Sequence, residues 1–448
     1  MSLEDKLYGL LGIYKNLPLP IKIFIGSVYR KLPKKLKYGN VYFDYLNRIK
    51  EKNGNYNEYR DKQCSLALSV IPYYQRKNYK SFLEFPIVNK NIIRSNFDQF
   101  VNPNNLNRLK ANTGGSSGTP FEFFLEKGVS RPKEKAHFDW YWGKFGYTPG
   151  DKMLTIRGES LSHNKLYEYQ AIDNKLAISC YLLNKQNIGD IVKVINKFNP
   201  CFIHAYPSAI KNFIRLVENS SSPLKINIKT IFMGSEGLYK WDRKLISTFF
   251  NANIAHWYGH SERLVHAGNC PYSDDFHIFP FYGYVELIYD DGKIINEPNK
   301  AGRIIATGFD NDVMPMIRYD TGDKAEYSDQ LKCKCGFKGR SFKNIHGRSH
   351  DYIYLNDTTK VSLTAFIFGQ HYKEFSSISE IQLEQSTIGK LKIRITLNAN
   401  KSISKEDFVK KMEASVQNKI NISLDIVDEI PKTQRGKHVF LIQNIKED

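Results

Sequence analysis

From about Leu7 to Phe100, apolar residues recur at helical spacing, and Pro18, Pro20, Pro33, Pro72 and Pro86 divide them into short predicted helices. A stretch rich in glycine and hydroxyls, NTGGSSGTPF from Asn112 to Phe121, breaks this spacing, and FEFFLEKG then alternates as a strand leaving a turn does. Residues 130–146 return to helical spacing. KMLTIRG and CFIHAYP read as buried strands with a helix over 189–199 between them, and the strands IKTIFMGSEG and ANIAHWYGHSE flank a helix in WDRKLISTFF. Such alternation predicts layered α/β architecture.

Past His346 the character changes to a small α+β unit: strands in SEIQLEQS and LKIRITLNA, a helix across KEDFVKKMEASVQNKI, a strand in ISLDIVDEIP, and a polar PKTQRGKH loop. The boundary falls in GRSHDY, Gly347–Tyr352. The expected organisation is a helical region over 1–100, an α/β core over 101–346 and a carboxyl-terminal unit over 347–448, with no internal repeat.

The 448 residues, 41% hydrophobic and 13% aromatic, suffice for the cores of about two or three domains. The longest membrane candidate, IKIFIGSVY at Ile21–Tyr29, falls short of the roughly 18–20 residues that a spanning helix needs, and no secretory signal precedes it. The expected location is the cytoplasm. A formal charge of +19 favours anionic partners. Between Met1 and Asn40 stand Lys6, Lys15, Lys22, Arg30, Lys31, Lys34, Lys35 and Lys37 against only Glu4 and Asp5. This interleaved segment reads either as an amphipathic element on an anionic membrane surface or as the solvated face of a helical hairpin. No nucleic-acid motif accompanies the charge, so no nucleic-acid partner is expected.

The 112–121 stretch admits two readings as well. Glycines at 114, 115 and 118 permit unusual backbone angles, and successive N–H groups there can form a nest for phosphate. A flexible surface turn has the same composition.

Six cysteines in a cytoplasmic chain are not a disulfide framework. Cys270 and His277, with six residues between them, and the pair Cys333 and Cys335 make a Cys₃His donor set of the kind that suits tetrahedral zinc; the alternative is free thiols. Such a site has no open position and would be structural, stapling two loops. Cys64, Cys180 and Cys201 sit in apolar contexts and read as core.

Five further segments follow the opening loop in order: GSEG (Gly234–Gly237), YGHSE (Tyr258–Glu262), RYDTGD (Arg318–Asp323), GRSHD (Gly347–Asp351) and PKTQRGK (Pro431–Lys437). The set resembles the adenylate-forming superfamily. More narrowly it is similar to the phenylacetate–CoA ligase branch and its capsular-polysaccharide, CapK-like members. AYPS (Ala205–Ser208), MPMIRYDTGD, VYFDYL and VIPYYQ carry that narrower likeness, and a Cys, His, Cys-x-Cys zinc site is frequent in the branch. The resemblance implies a large domain of layered α/β subdomains and a small mobile α+β carboxyl-terminal domain.

It also implies an ATP-dependent, AMP-forming ligase that activates a carboxylic acid as its adenylate and passes it to a thiol such as CoA, an amine or a sugar, in surface-polysaccharide assembly. Lys437 would be the catalytic cation between carboxylate and α-phosphate. Thr113, Ser116, Ser117, Gly118 and Thr119 would grip the departing phosphates. Ser235 and Glu236 would lie near adenine, Tyr258 would stack on it, and Gly259 and Ser261 complete that turn. Asp323 would take the ribose hydroxyls, Arg348 the ribose or phosphate near the hinge, and Glu262 the Mg²⁺ that accompanies ATP. Cys270, His277, Cys333 and Cys335 would hold Zn²⁺.

Two positions depart from the family: His350 stands where an acid is usual after the hinge glycine, and the loop opens Thr-Gly-Gly where Thr-Ser-Gly is usual. No motif assigns a CoA pocket. Walls for the acid are expected from HFDWYW (137–142), the His204–Pro207 strand end, Trp257 and His260. Two other readings stay open: an AMP transferase of the coenzyme F390 synthetase type, and a non-catalytic, zinc-stapled nucleotide-binding scaffold.

Overall fold

The computed structural model describes residues 10–51, 55–112, 121–157, 161, 165–180, 182–238, 240–348, 352–358, 360–363, 366–367, 372–398, 400–432 and 438–445. The amino-terminal part is helical, with helices Leu11–Asn16, Leu19–Lys31, Lys34–Glu51 and Tyr56–Val70. Pro18 opens the second and Pro72 opens a further short turn, where a missing N–H costs nothing. Strands Arg108–Asn112 and Glu122–Glu126 then pair antiparallel, with Asn112 opposite Glu122 on either side of residues 113–120.

Among the described residues, the main body is one thirteen-stranded sheet. Its middle is parallel: Lys175–Ser179, Met153–Arg157, Phe202–Ala205, Thr230–Gly234 and Asn253–Gly259 lie side by side. Alternate residues of these strands enter different cores, as a period of two requires. Ile203, Ala205, Ile231 and Met233 pack under the helices Ile188–Phe198 and Pro207–Glu218, whereas Phe202, Phe232 and Trp257 join an aromatic core with Tyr141 and Trp142. Both faces are covered, which is why these strands are apolar along most of their length. Helix Ile188–Phe198 buries Ile188, Ile191, Val192 and Ile195, a single stripe at helical spacing, and stops where Asn199 turns left-handed at φ 50°.

From His266 to Arg348 the sheet continues antiparallel. A separate apolar core then gathers Ile353, Phe366, Leu383, Ile393, Phe408 and Met412, around a four-stranded sheet of Asn421–Ile426, Lys390–Leu397, Ile378–Thr387 and Leu441–Gln443. The helix there covers Lys405–Ser415, shorter than the sequence predicts, because Gln417 and Asn418 both take positive φ. The mixed α/β class expected from the sequence is borne out. Among the described residues no helix is long and apolar enough to cross a membrane.

Candidate functional site

Three of the sequence motifs follow the carboxyl ends of three adjacent parallel strands. Phe202–Ala205 leads into AYPS, Thr230–Gly234 ends at the first residue of GSEG, and Asn253–Gly259 ends within YGHSE. In open α/β sheets this edge is where ligands bind, because the loops there are free to vary while the strands hold them in register. Close packing shapes the middle turn. A Cβ on Gly234 would lie 2.4 Å from the Trp257 ring on the next strand, so only glycine fits there. Ser235 follows at φ 69°, a left-handed angle that a serine adopts only when its surroundings enforce it.

The predicted site residues divide into three groups. Ser235, Glu236, Tyr258, Gly259, Ser261, Glu262 and Asp323 fall within the described structure and cluster at this edge. Ser235, Gly259 and Ser261 are exposed to solvent. Tyr258 donates its hydroxyl to Asp323 Oδ2 at 2.7 Å, tying YGHSE to RYDTGD across 65 positions. Burial, reinforced by that carboxylate, raises the Tyr258 phenol well above its ordinary value, so it remains a donor. Arg348 is placed through its backbone, which pairs with Asp323. Lys437, the loop residues Thr113, Ser116, Ser117, Gly118 and Thr119, and His350 with Asp351 lie outside the described residues.

Two carboxylates are committed in ways the motifs alone do not reveal. Glu262 is buried; its Oε2 lies 2.9 Å from His260 Nδ1 and its Oε1 accepts from Tyr319 Oη at 2.8 Å. Burial pushes this carboxyl up, but the His260 ring and the hydrogen bonds from His260 and Tyr319 outweigh it and hold the group below its ordinary value. Glu236 accepts from Ser208 N at 2.9 Å, Ser208 Oγ at 3.0 Å and His438 N at 3.0 Å. It thereby satisfies an orphan N–H in the first turn of helix Pro207–Glu218 and binds the chain immediately after Lys437.

A cleft of about 130 Å³ opens beside this turn, between the main body and the carboxyl-terminal core, lined among others by Ser208, Lys211, Glu236, Glu380 and His438. Lys211 spans it. Its Nζ donates to Asp242 Oδ2 at 3.0 Å and to the Ser379 carbonyl at 2.6 Å. Ser208 lies in AYPS and Tyr319 in RYDTGD, although the motifs assign neither a role, but Lys211, a lysine inside an amphipathic helix, carries no such signal in the sequence.

The aromatic walls expected from HFDWYW are mostly core. Trp142 stacks on Phe232 at 4.5 Å, Tyr141 donates to the His256 carbonyl, and Trp257 meets Phe138 edge-on at 5.3 Å. Aromatic residues at helical spacing had to bury that surface somewhere, and the underside of the parallel sheet takes most of it.

Cys270, His277, Cys333 and Cys335 converge, with all four donor atoms within 4.8 Å of one another; among the described residues this is the one such group. Cys270 Sγ and Cys333 Sγ are 3.5 Å apart, as are Cys335 Sγ and His277 Nε2. A tetrahedron with Zn–S bonds of about 2.3 Å has edges of about 3.8 Å, so the donor set fits that ion. His277 Nδ1 lies 2.8 Å from Ser341 Oγ, which leaves Nε2 facing the sulfurs, and burial with nearby Lys144 holds its ring neutral, at about 4. Burial pushes the Cys270 thiol up to about 12, so a thiolate there calls for a cation.

Comparison with known proteins agrees with this geometry. Residues 353–444 match the family model of the CapK C-terminal domain. The chain is 24% identical to Protein CapK of Staphylococcus aureus, over 97% of this chain and 99% of that one. It is similar in structure to 2-hydroxyisobutyryl-CoA ligase bound to 2-HIB-AMP in the postadenylation state, with a TM-score of 0.65 at 16% identity over 89% of this chain and 88% of that one. An open conformation of the same ligase, with 2-HIB-AMP and CoA, gives 0.56 at 17% identity over 86% and 90%. The resemblance read in the motifs is borne out: the chain has the fold of the adenylate-forming ligases, and its residues 353–444 match the model of the CapK C-terminal domain.

Proposed function

We propose that this protein is an ATP-dependent, AMP-forming acid ligase working in the cytoplasm. The observation that carries the reading is the convergence of AYPS, GSEG and YGHSE at the carboxyl ends of adjacent parallel strands, with Asp323 joined to Tyr258 beside them. In the reaction a substrate carboxylate oxygen bonds to the α-phosphorus of ATP, and the bond to pyrophosphate breaks. Two anions meet in that step, so a fixed cation is required. Lys437 is assigned this role, in a lid formed by residues 347–448. Thr113, Ser116, Ser117, Gly118 and Thr119 receive the departing pyrophosphate. Tyr258 and the Ser235 turn face the adenine, Gly259 and Ser261 complete that wall, Asp323 accepts the ribose hydroxyls, and Arg348 steadies the ribose or phosphate.

Glu236 supports the turn rather than contacting base, since Ser208 and His438 hold both its oxygens. Glu262 is the protein ligand for Mg²⁺, which neutralises the triphosphate. Zn²⁺ at Cys270, His277, Cys333 and Cys335 is structural. The acyl acceptor is a thiol such as CoA, an amine or a sugar, and the likeness to CapK favours a place in surface-polysaccharide assembly.

Acid-dependent ATP–pyrophosphate exchange over pooled aryl, fatty, amino and sugar acids tests the reading. Lys437→Ala is expected to cut exchange by at least about 100-fold while ATP still binds. Exchange that survives the substitution would remove Lys437 from the mechanism. A stable adenylylated end product would instead assign AMP transfer to a hydroxyl, and no exchange with any pool would favour the non-catalytic scaffold.

A further inference from the structure

Helix Leu19–Lys31 is inside out. Its inward stripe is Lys22, Gly26 and Arg30, four residues apart, and its outward stripe is Ile21, Phe24 and Val28. Lys22 is only 8% exposed and reaches Glu168 Oε1 at 3.8 Å, whereas Phe24 is 70% exposed. The helix has no freedom to roll its apolar side inward. A Cβ on Gly26 would stand 2.4 Å from the Ala171 carbonyl oxygen, so the helix backbone lies directly on that segment, and Arg30 donates to the same carbonyl. Burying a lysine while leaving a phenylalanine in water inverts the usual order of free energies, and the two polar anchors with the Gly26 contact fix that inversion in place. Ile13 and Leu36, on the flanking helices, are exposed as well, so the surface extends beyond one helix. An exposed apolar surface of this kind marks an interaction site.

Charge selects the occupant. From Leu10 to Phe43 the chain has no acidic residue, and Lys31, Lys34 and Lys35 stand exposed at the carboxyl end of the helix. A second copy brought face to face would set these cations against their own images. A nucleic acid offers nothing for the aliphatic stripe. An anionic bilayer satisfies both features: headgroups neutralise the lysines while Ile21, Phe24 and Val28 enter the acyl boundary. We infer that the face formed by Ile21, Phe24, Val28 and the 31–35 lysines docks the protein on the surface of an anionic membrane. The inference stands independently of the ligase reading.

Vesicle flotation with the full chain tests it, using phosphatidylcholine vesicles with and without phosphatidylglycerol. Binding is expected only with the anionic lipid and should weaken as salt is added. Replacing Lys31, Lys34 and Lys35 with glutamine should weaken it on the order of 100-fold, at about a factor of five for each lysine. Ile21→Ser with Phe24→Ser should also release the protein while leaving the far-UV spectrum and thermal midpoint unchanged, since both side chains already face water. Three results would overturn the inference: no flotation with anionic vesicles, flotation indifferent to the serine variant, or a light-scattering dimer that the serine variant dissolves, which would assign the face to a second copy.

Discussion

Each oxygen of Glu262 already accepts one hydrogen bond and keeps one lone pair for a cation, and that governs what its replacement does. Glu262→Gln keeps the volume but sets an amide N–H₂ against either His260 or the Tyr319 hydroxyl. On the proposed reading, in which Glu262 would hold Mg²⁺, pyrophosphate exchange should drop by about 100-fold, because that carboxylate is lost and the remaining groups lose their orientation. Tyr319→Phe, which removes only the orienting hydrogen bond, should cost about tenfold, with apparent Mg²⁺ affinity as the readout. Since the Glu262 carboxyl is held below its ordinary value in the folded chain, its contribution to stability is present above the unfolded carboxylate range and is lost as pH falls through the folded one. YGHSE makes Glu262 legible from the sequence, because a local motif carries its own spacing. The partner Tyr319 stands 57 positions away, and only the order of the strands between brings it within reach. Glu236 is the converse case, a motif residue whose carboxylate turns to Ser208 and His438 once the helix beginning at Pro207 has taken its place.

Among the secondary-structure elements, the Cys₃His cluster joins a hairpin to a loop. Cys270 ends the strand His266–Cys270 and His277 lies in its antiparallel partner Ser273–Ile278, while Cys333 and Cys335 sit in a loop closed by the Lys332–Lys338 bridge. The chelation set was readable because thiolate and imidazole are chemically conspicuous; the Ser341 hydroxyl that orients His277 was not, since serine is common everywhere. The purified protein is expected to hold one zinc per chain, and Cys335→Ser to lose most of it and about 2–5 kcal/mol of stability. Metal analysis beside denaturant unfolding checks this, and a metal-free protein of normal stability would refute the staple.

Between helices, Lys211 and Asp242 form a buried pair that also holds the Ser379 carbonyl of the carboxyl-terminal core. Lys211→Met strands Asp242 without its cation and should destabilise the chain by about 3–5 kcal/mol, whereas Lys211→Met with Asp242→Leu should recover most of that loss. A single variant as stable as the parent would mean the pair is open in solution.

Across the molecule, buried imidazoles set the acid limit. Burial lowers His137 and His256 to about 4 and His266 to about 3, all below the ordinary 6.5. The unfolded chain therefore takes up these protons first, and stability that is complete above about pH 6.5 declines as the pH approaches 4, at up to about 1.4 kcal/mol per pH unit for each histidine. Thermal midpoints should fall across that interval, and His266→Gln should flatten the slope; a midpoint constant from about pH 7 to 5 would contradict the burial of these rings.

The fold class was legible because strand and helix periods differ so plainly along the chain. The inverted helix at Leu19–Lys31 was not, since its alternating lysines and aliphatics name two faces without saying which turns inward. Contact with Ala171 decides that, and no local pattern encodes it.

The division of labour at Glu236 has a mechanical result. Two of its three hydrogen bonds end on Ser208 in the main body and one on His438 in the carboxyl-terminal part. If that part swings away during turnover, Glu236 gives up a single N–H···O and its carboxylate stays seated on its helix. The GSEG turn then keeps its shape through the cycle, and this one bond reopens and reseats at the cost of about 1.5–3 kcal/mol, the range for a hydrogen bond to a charged group.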